Sequence, residues 1–295
     1  VYGLPGDPVL ARRGQEALDA VYAPLLAEDV PRIVTNHPTA ELVKVAANSF
    51  LATKISFINA MAEVCEATGG DVVALAEALG YDERIGAAFL RAGVGFGGGC
   101  LPKDIRAFVA RAEELGVREA VSFLEQVDAI NRRRRDRVVA LAERCLGGSP
   151  EGARVVVLGA AFKPDSDDIR DSPALEVARR LHERGARVRV CDPRALDAVR
   201  RHHRGLETVR EPLAALEDAD LVLLLTEWNE FVRLDPDEAA DRVATPVVID
   251  GRNALDARRW REAGWTHLGL GRPRLVPALR TRALRRARSP RKVPR

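Results

Sequence analysis

The chain has 295 residues, 46% hydrophobic and 30% charged, with a net charge of +3. That length suggests two domains, and the composition is ordinary for a globular protein. No apolar run approaches the roughly 20 residues that span a bilayer, no signal peptide is visible, and four widely spaced cysteines (Cys65, Cys100, Cys145, Cys191) without a C-x-x-C pair argue against a disulfide framework or a zinc site and for free thiols in the cytoplasm.

The charge is unevenly spread. Residues 272–295 carry nine arginines, one lysine and no acid, hence +10, which leaves −7 on residues 1–271. Most basic ends of this kind are solvated and disordered, so a disordered tail is expected and nucleic-acid binding is not. The chain opens on Val1-Tyr2-Gly3-Leu4, without methionine or a preceding turn, as expected of a cut through a longer polypeptide.

In chain order, residues 8–28 read as one amphipathic helix, and residues 31–35 as a short strand-like link. A long helix starts with Thr39 as its N-cap and runs to Thr68, where Gly69-Gly70 stop it. At 1.5 Å per residue it is about 40 Å long, more than a small domain covers, which marks it as a dimer interface. Shorter helices follow over residues 71–79 and 102–115, and residues 118–146 continue in helical period. Residues 1–147 therefore read as all-helical. Gly147-Gly148-Ser149-Pro150 is the clearest boundary. Beyond it, strands over 154–159, 187–191, 220–225 and 246–250 alternate with helices such as 173–183. This predicts a parallel α/β sheet over residues 151–271, with ligands outside the carboxyl ends of its strands.

The run Gly93-Val94-Gly95-Phe96-Gly97-Gly98-Gly99-Cys100-Leu101-Pro102-Lys103-Asp104 holds five glycines in seven residues and then a cysteine at a helix start. Glycine lets backbone approach a ligand closely. A cysteine at a helix N-terminus sits near unpaired N–H groups that favour thiolate, so Cys100 reads as a nucleophile on a substrate-hugging loop, with Lys103 and Asp104 in reach. Two plainer readings stand beside it: a flexible linker with an incidental cysteine, and a dinucleotide fingerprint, which would have to follow a strand where residues 87–92 look helical. Lys44 and Asn48 share one face of the long helix among apolar neighbours and need polar partners, or else are a snorkelling lysine and a satisfied amide. Phe162-Lys163, Arg170 and Arg252 fall at the sheet's carboxyl edge, a convergence that suits an anionic ligand such as a nucleotide diphosphate or, equally, a solvated ion-pair network.

These stretches together resemble the UDP-glucose/GDP-mannose dehydrogenase family, most closely its UDP-glucose-oxidising members. The resemblance covers about residues 1–270. It rests on residues 41–59 (Glu-Leu-Val-Lys-Val-Ala-Ala-Asn-Ser-Phe-Leu-Ala-Thr-Lys-Ile-Ser-Phe-Ile-Asn), Arg84-Ile85-Gly86, residues 93–104, residues 159–164, residues 168–173, Thr226-Glu227-Trp228 and Asp250-Gly251-Arg252. It implies a central helical dimerisation domain and a Rossmann-like UDP-sugar-binding domain, with an N-terminal NAD-binding domain that this sequence lacks. It further implies two oxidations of a sugar C6 alcohol to a carboxylate with NAD, through a thiohemiacetal and a thioester on Cys100. Lys44 and Asn48 would stabilise oxygen charge and Asp104 would position or activate water. Phe89, Leu90, Phe96, Gly97, Lys103, Phe162, Lys163 and Arg252 would hold UDP-glucose, and Arg84 would reach a partner's substrate. Lys103 and Arg170 would lie near NAD phosphate, and no metal is implied. Gly99, often serine in the family, and Leu101, usually aromatic, depart from its pattern and bear on loop stiffness and sugar fit. A non-catalytic UDP-sugar-binding remnant, or an enzyme for UDP-N-acetylmannosamine or GDP-mannose, stays open.

Overall fold

The computed structural model describes residues 1–273; nearly all of the basic tail lies outside the described residues. The helical part is not wholly helical. Strands β1 (Tyr2–Leu4) and β2 (Val34–Asn36) pair in parallel, and each is too short to leave a periodic signal. The helix expected over residues 8–28 is two, α1 (Pro8–Val21) and α2 (Ala23–Leu26). Pro24 explains the break: it has no N–H to donate, and its ring clashes with the preceding turn of a continuing helix.

Helix α3 (His37–Thr68) begins two residues earlier than expected. Its N-cap is Asn36, whose side-chain oxygen accepts from the Thr39 N–H at 2.9 Å, so Thr39 is the capped residue and not the cap. Pro38 fits the first turn, and Gly69 at φ +77° ends the helix in the left-handed conformation that glycine takes without strain. Asp71 caps α4 (Val72–Gly80) through a 2.8 Å bond from Val73 N. Helix α5 (Leu101–Glu114) starts directly after Cys100. The single helix expected over residues 118–146 is a 3-10 turn, Arg118–Val121, followed by α6 (Phe123–Cys145).

The second half is a six-stranded sheet in which every neighbouring pair is parallel. It comprises β3 (Arg154–Leu158), β4 (Arg187–Cys191), β5 (Glu207–Thr208), β6 (Leu221–Leu224), β7 (Val247–Asp250) and β8 (Thr266–Gly269), in the order β5-β4-β3-β6-β7-β8. Helices α7 (Pro173–Glu183), α8 (Leu196–His202), α9 (Pro212–Ala215), α10 (Asn229–Val232), α11 (Pro236–Ala240) and α12 (Ala257–Glu262) intervene. β5 and β8 escape the sequence pattern because one has two residues and the other reads Thr-His-Leu-Gly. The central strands are continuous aliphatic runs buried on both faces, as parallel sheets require. Each fully buried aliphatic side chain contributes roughly 1.5–3 kcal/mol.

The strand order reverses between β3 and β6, so a crevice opens above their carboxyl ends. The helical half closes over that crevice. Val138, Val139 and Ala142 of α6 join the sheet's apolar core, and so does Val94 of the glycine run.

Candidate functional site

Along α3, positions 44, 48, 55 and 59 fall on one face. Lys44 Nζ donates to Asn48 Oδ1 at 3.0 Å, and Asn48 Nδ2 donates to Asp104 Oδ2 at 2.6 Å. Lys103 Nζ donates to the other carboxylate oxygen of Asp104 at 2.7 Å. Two distant stretches of sequence are thus joined into one polar line, Lys44–Asn48–Asp104–Lys103. The Lys103 hydrogen bond, more than any other partner, holds the Asp104 carboxyl below the usual carboxylate range, with a further contribution from Asn48 and against the effect of burial. The same hydrogen bond raises the Lys103 ammonium. Of the apolar neighbours expected to bury Lys44, Val43 is exposed; the buried member of the pair is Asn48.

Cys100 is exposed, is a free thiol and occupies the N-cap of α5, where its carbonyl accepts from Asp104 N at 2.8 Å. That turn sets the sulfur and the Asp104 carboxylate on the same end of the helix.

The glycine run is a clamped loop and not a flexible linker. Asn131 on α6 takes Phe96 N (2.7 Å) and gives to Phe96 O (2.9 Å). Arg134 donates to Gly93 O at 3.1 Å and Arg135 to Phe96 O at 3.1 Å. Val94 N reaches Gly251 O at 2.8 Å, and Gly98 N reaches Arg170 O at 2.9 Å. Glycine is required at Gly98, which sits at φ +86° and where a Cβ would come within 2.7 Å of the Phe162 ring. The run follows a turn and loop, not a strand, so the dinucleotide-fingerprint context is absent there.

Between the loop and the sheet edge lies a cleft of about 530 Å³ lined by Ile55, Asn59, Phe89, Phe96, Phe162 and Arg252, among others. Gly97, Leu101 and Lys163 also line it, and Cys100 immediately precedes Leu101 in the chain. Lys163 lies with its ammonium 5.6 Å from the centre of the Phe162 ring. Phe89 adopts φ +65°, a strained conformation for a bulky residue, of a kind that concentrates at binding sites. Arg252 is a tie as much as a ligand cation. Its guanidinium donates to Leu225 O (2.7 Å), Gly95 O (3.0 Å) and Phe162 O (3.4 Å), and it pairs with Glu227 at 3.3 Å.

Four expected binding residues do not line the cleft: Lys103, which is paired with Asp104, and three more. Leu90 is buried with Ile58, Ala62 and Val72 behind the cleft. Arg84 is 89% exposed and paired with Asp82, away from its own chain's cleft. Arg170 is paired with Asp168 at the rim, its guanidinium pressed against Gly99. Sequence reasoning missed Asn131, Arg134 and Arg135, and gave no individual role to Asn59 and Glu227, which fall within stretches that carry the resemblance. In the run Asn131-Arg132-Arg133-Arg134-Arg135, Arg134 and Arg135 are buried, and Gly93 O, Phe96 O and the Asp171 carboxylate accept hydrogen bonds from them.

Residues 38–133 match the model of the UDP-glucose/GDP-mannose dehydrogenase family central domain, and residues 156–257 match that family's UDP binding domain. A UDP-glucose 6-dehydrogenase of Rhizobium meliloti is 39% identical over 261 residues, 88% of this chain and 59% of that protein. One of Pseudomonas aeruginosa is 38% identical over 265 residues, 88% of this chain and 58% of its own length. Among solved structures, a UDP-glucose dehydrogenase from Pyrobaculum islandicum is 40% identical with a TM-score of 0.78, covering 90% of this chain and 57% of that one. A UDP-D-ManNAc dehydrogenase from Pyrococcus horikoshii is 27% identical with a TM-score of 0.69, over 82% of this chain and 54% of that one. The chain spans about three fifths of the length of the curated relatives it matches.

Proposed function

Because the chain belongs to the UDP-glucose/GDP-mannose dehydrogenase family, we propose that it is the substrate-holding and nucleophile-bearing portion of a UDP-glucose 6-dehydrogenase. The observation that carries this reading is the polar line Lys44–Asn48–Asp104–Lys103 together with an exposed Cys100 that caps the same helix as Asp104, directly before the cleft-lining Leu101. UDP-glucose lies in the cleft with its sugar toward Cys100. Phe89, Phe96, Gly97, Phe162, Lys163 and Arg252 hold it.

In this reading Cys100 Sγ attacks the C6 aldehyde. A C–S bond forms and the carbonyl π pair moves to oxygen, where Lys44 and the second N–H of Asn48 stabilise the charge. After oxidation to the thioester, water attacks the acyl carbon and the C–S bond breaks, with sulfur leaving as thiolate. Asp104 orients Asn48 and Lys103 and aligns the water. A carboxylate held below its usual range is a weak proton acceptor, so orientation is its stronger contribution.

NAD, when bound, would supply the hydride acceptor for the two oxidations that this reading requires. The described residues do not fit NAD as a cradle, and no step here is assigned through it. The turn after β3 has Gly159-Ala160-Ala161 where a dinucleotide turn needs three spaced glycines. The buried Asp192 carboxylate occupies the Ala160 and Ala161 N–H groups, at 2.7 and 3.0 Å, that would face a pyrophosphate. Lys103 and Arg170 offer rim cations to a cofactor phosphate.

A second copy of the chain covers α3. Val43, Phe50, Phe57 and Val64 are exposed at seven-residue spacing on this helix, with Leu42 alongside. Arg84, unattached to its own cleft, then serves the partner's substrate.

Calorimetric titration of UDP-glucose into the purified chain, with GDP-mannose and UDP-N-acetylmannosamine as controls and NADH formation followed in parallel, tests the reading. Selective UDP-glucose binding is the expected result. Equal or tighter binding of a control sugar moves the substrate assignment within the family, and no binding of any of them overturns it.

A further inference from the structure

Asn59 on α3 has no exposed surface, yet it lines the cleft. Its orientation is fixed: Oδ1 accepts from Gly93 N at 2.8 Å, so Nδ2 points the other way. That Nδ2 has no hydrogen-bond partner among the described residues. An unmade buried bond costs stability, and native structures hold few such groups. A buried amide on a cleft wall with a spare donor is a group that a ligand acceptor completes.

Position along α3 says which part of the ligand. Asn48 and Asn59 are eleven residues apart, three helical turns, so they share a face and lie about 16 Å apart, with Ile55 of the cleft wall between them. The reacting end is at Asn48, through Asp104 and Cys100. A nucleotide sugar whose C6 lies at that end extends its diphosphate along the cleft and brings its base to the other. The wall there includes Ala87, Ala88 and Phe89, an apolar flank for a ring.

We infer that Asn59 reads the nucleobase, its Nδ2 donating to a carbonyl oxygen of the pyrimidine while its Oδ1 holds the glycine loop at Gly93. The inference rests on the function proposed above. It makes Asn59 a specificity residue whose two ends couple base recognition to the loop that carries Cys100.

The substitution Asn59→Asp separates the two ends, because it keeps an oxygen for Gly93 N–H and removes the donor. Titrate UDP, uridine 5′-monophosphate and glucose 1-phosphate into the full chain and into the variant. The expected result is a loss of about tenfold or more for both uridine ligands, the size of one lost buried hydrogen bond, with glucose 1-phosphate changed by less than about twofold on the same scale. Equal weakening of all three ligands overturns the inference, since it reports charge repulsion or loop damage. Unchanged uridine affinity also overturns it. A wild-type chain that binds neither UDP nor UDP-glucose overturns the proposed function and this inference with it. Should the variant fail to fold, 2-thio-UDP and 4-thio-UDP titrated into the wild-type chain decide the matter. One of them is expected to bind about fivefold weaker than UDP, because sulfur is the poorer acceptor, and both binding like UDP overturns the assignment.

Discussion

Asn48 and Asp104 lie 56 positions apart in sequence and are joined by a 2.6 Å hydrogen bond, from the amide of α3 to the first turn of α5. This bond fixes where Cys100 stands relative to Lys44 and Asn48, since Cys100 begins the same turn that presents Asp104.

Replacing Asp104 by Asn removes the charge and one of the two oxygens that accept from Lys103 and Asn48, and should cost about 1 kcal/mol near pH 7. The sign of the pH dependence follows from the direction of the shift. A carboxyl lowered in the folded state adds stability above its unfolded value near 4, and loses it as pH falls through the lower folded value. Urea midpoints of wild type and Asp104→Asn should therefore differ at pH 7 and converge as pH drops below about 4; a gap that stays constant with pH would contradict the pairing.

Thiol labelling should be selective. Cys100 is exposed, whereas Cys191 is buried, and burial pushes its thiol up to about 12. Iodoacetamide at pH 8, read by peptide mass spectrometry, should modify Cys100 in the folded chain and leave Cys191 untouched until urea unfolds it. Cys100→Ser should alter stability by less than about 0.5 kcal/mol, as for other exposed substitutions.

The glycine loop should resist substitution. Gly98→Ala forces a left-handed residue into contact with the Phe162 ring, and should destabilise by about 2–4 kcal/mol from strain and overpacking together. Asn131→Ala leaves Phe96 N and Phe96 O without partners and should cost about 2–4 kcal/mol. Chemical denaturation of each variant measures both, and values near zero would mean that the loop is not clamped.

The apolar stripe on α3 predicts self-association. Light scattering should give twice the 32.2 kDa of one chain, and Phe50→Glu with Phe57→Glu should return it to a single copy. A wild-type monomer at micromolar concentration would remove the role assigned to Arg84.

Much of the architecture was legible locally. Helix α7 matches its expected span because Ser172, Pro173 and the glycine after it are local punctuation. The central strands were legible because burial on both faces leaves uninterrupted Val and Leu. Cys100, Lys44, Asn48 and Asp104 stood out as candidates in the sequence, with their roles implied by the resemblance; their joining by hydrogen bonds through Asn48 is a finding of the structure. The break at Pro24, the cap at Asn36 and the two-residue β5 lay below what periodicity resolves.

The sequence by itself determined the long helices and the central strands, where the period changes, and that a cysteine follows a glycine run. Only the tertiary structure decided that this run is rigid, that Arg134 and Arg135 are interior ties, that Arg252 bonds three separate carbonyls, and that Asn59 keeps a spare donor in the cleft. The reason is physical. Helix and strand follow from near-neighbour periodicity, whereas the partner of a buried amide or guanidinium is a backbone group far away in sequence, set by how α3, α6 and the sheet edge pack.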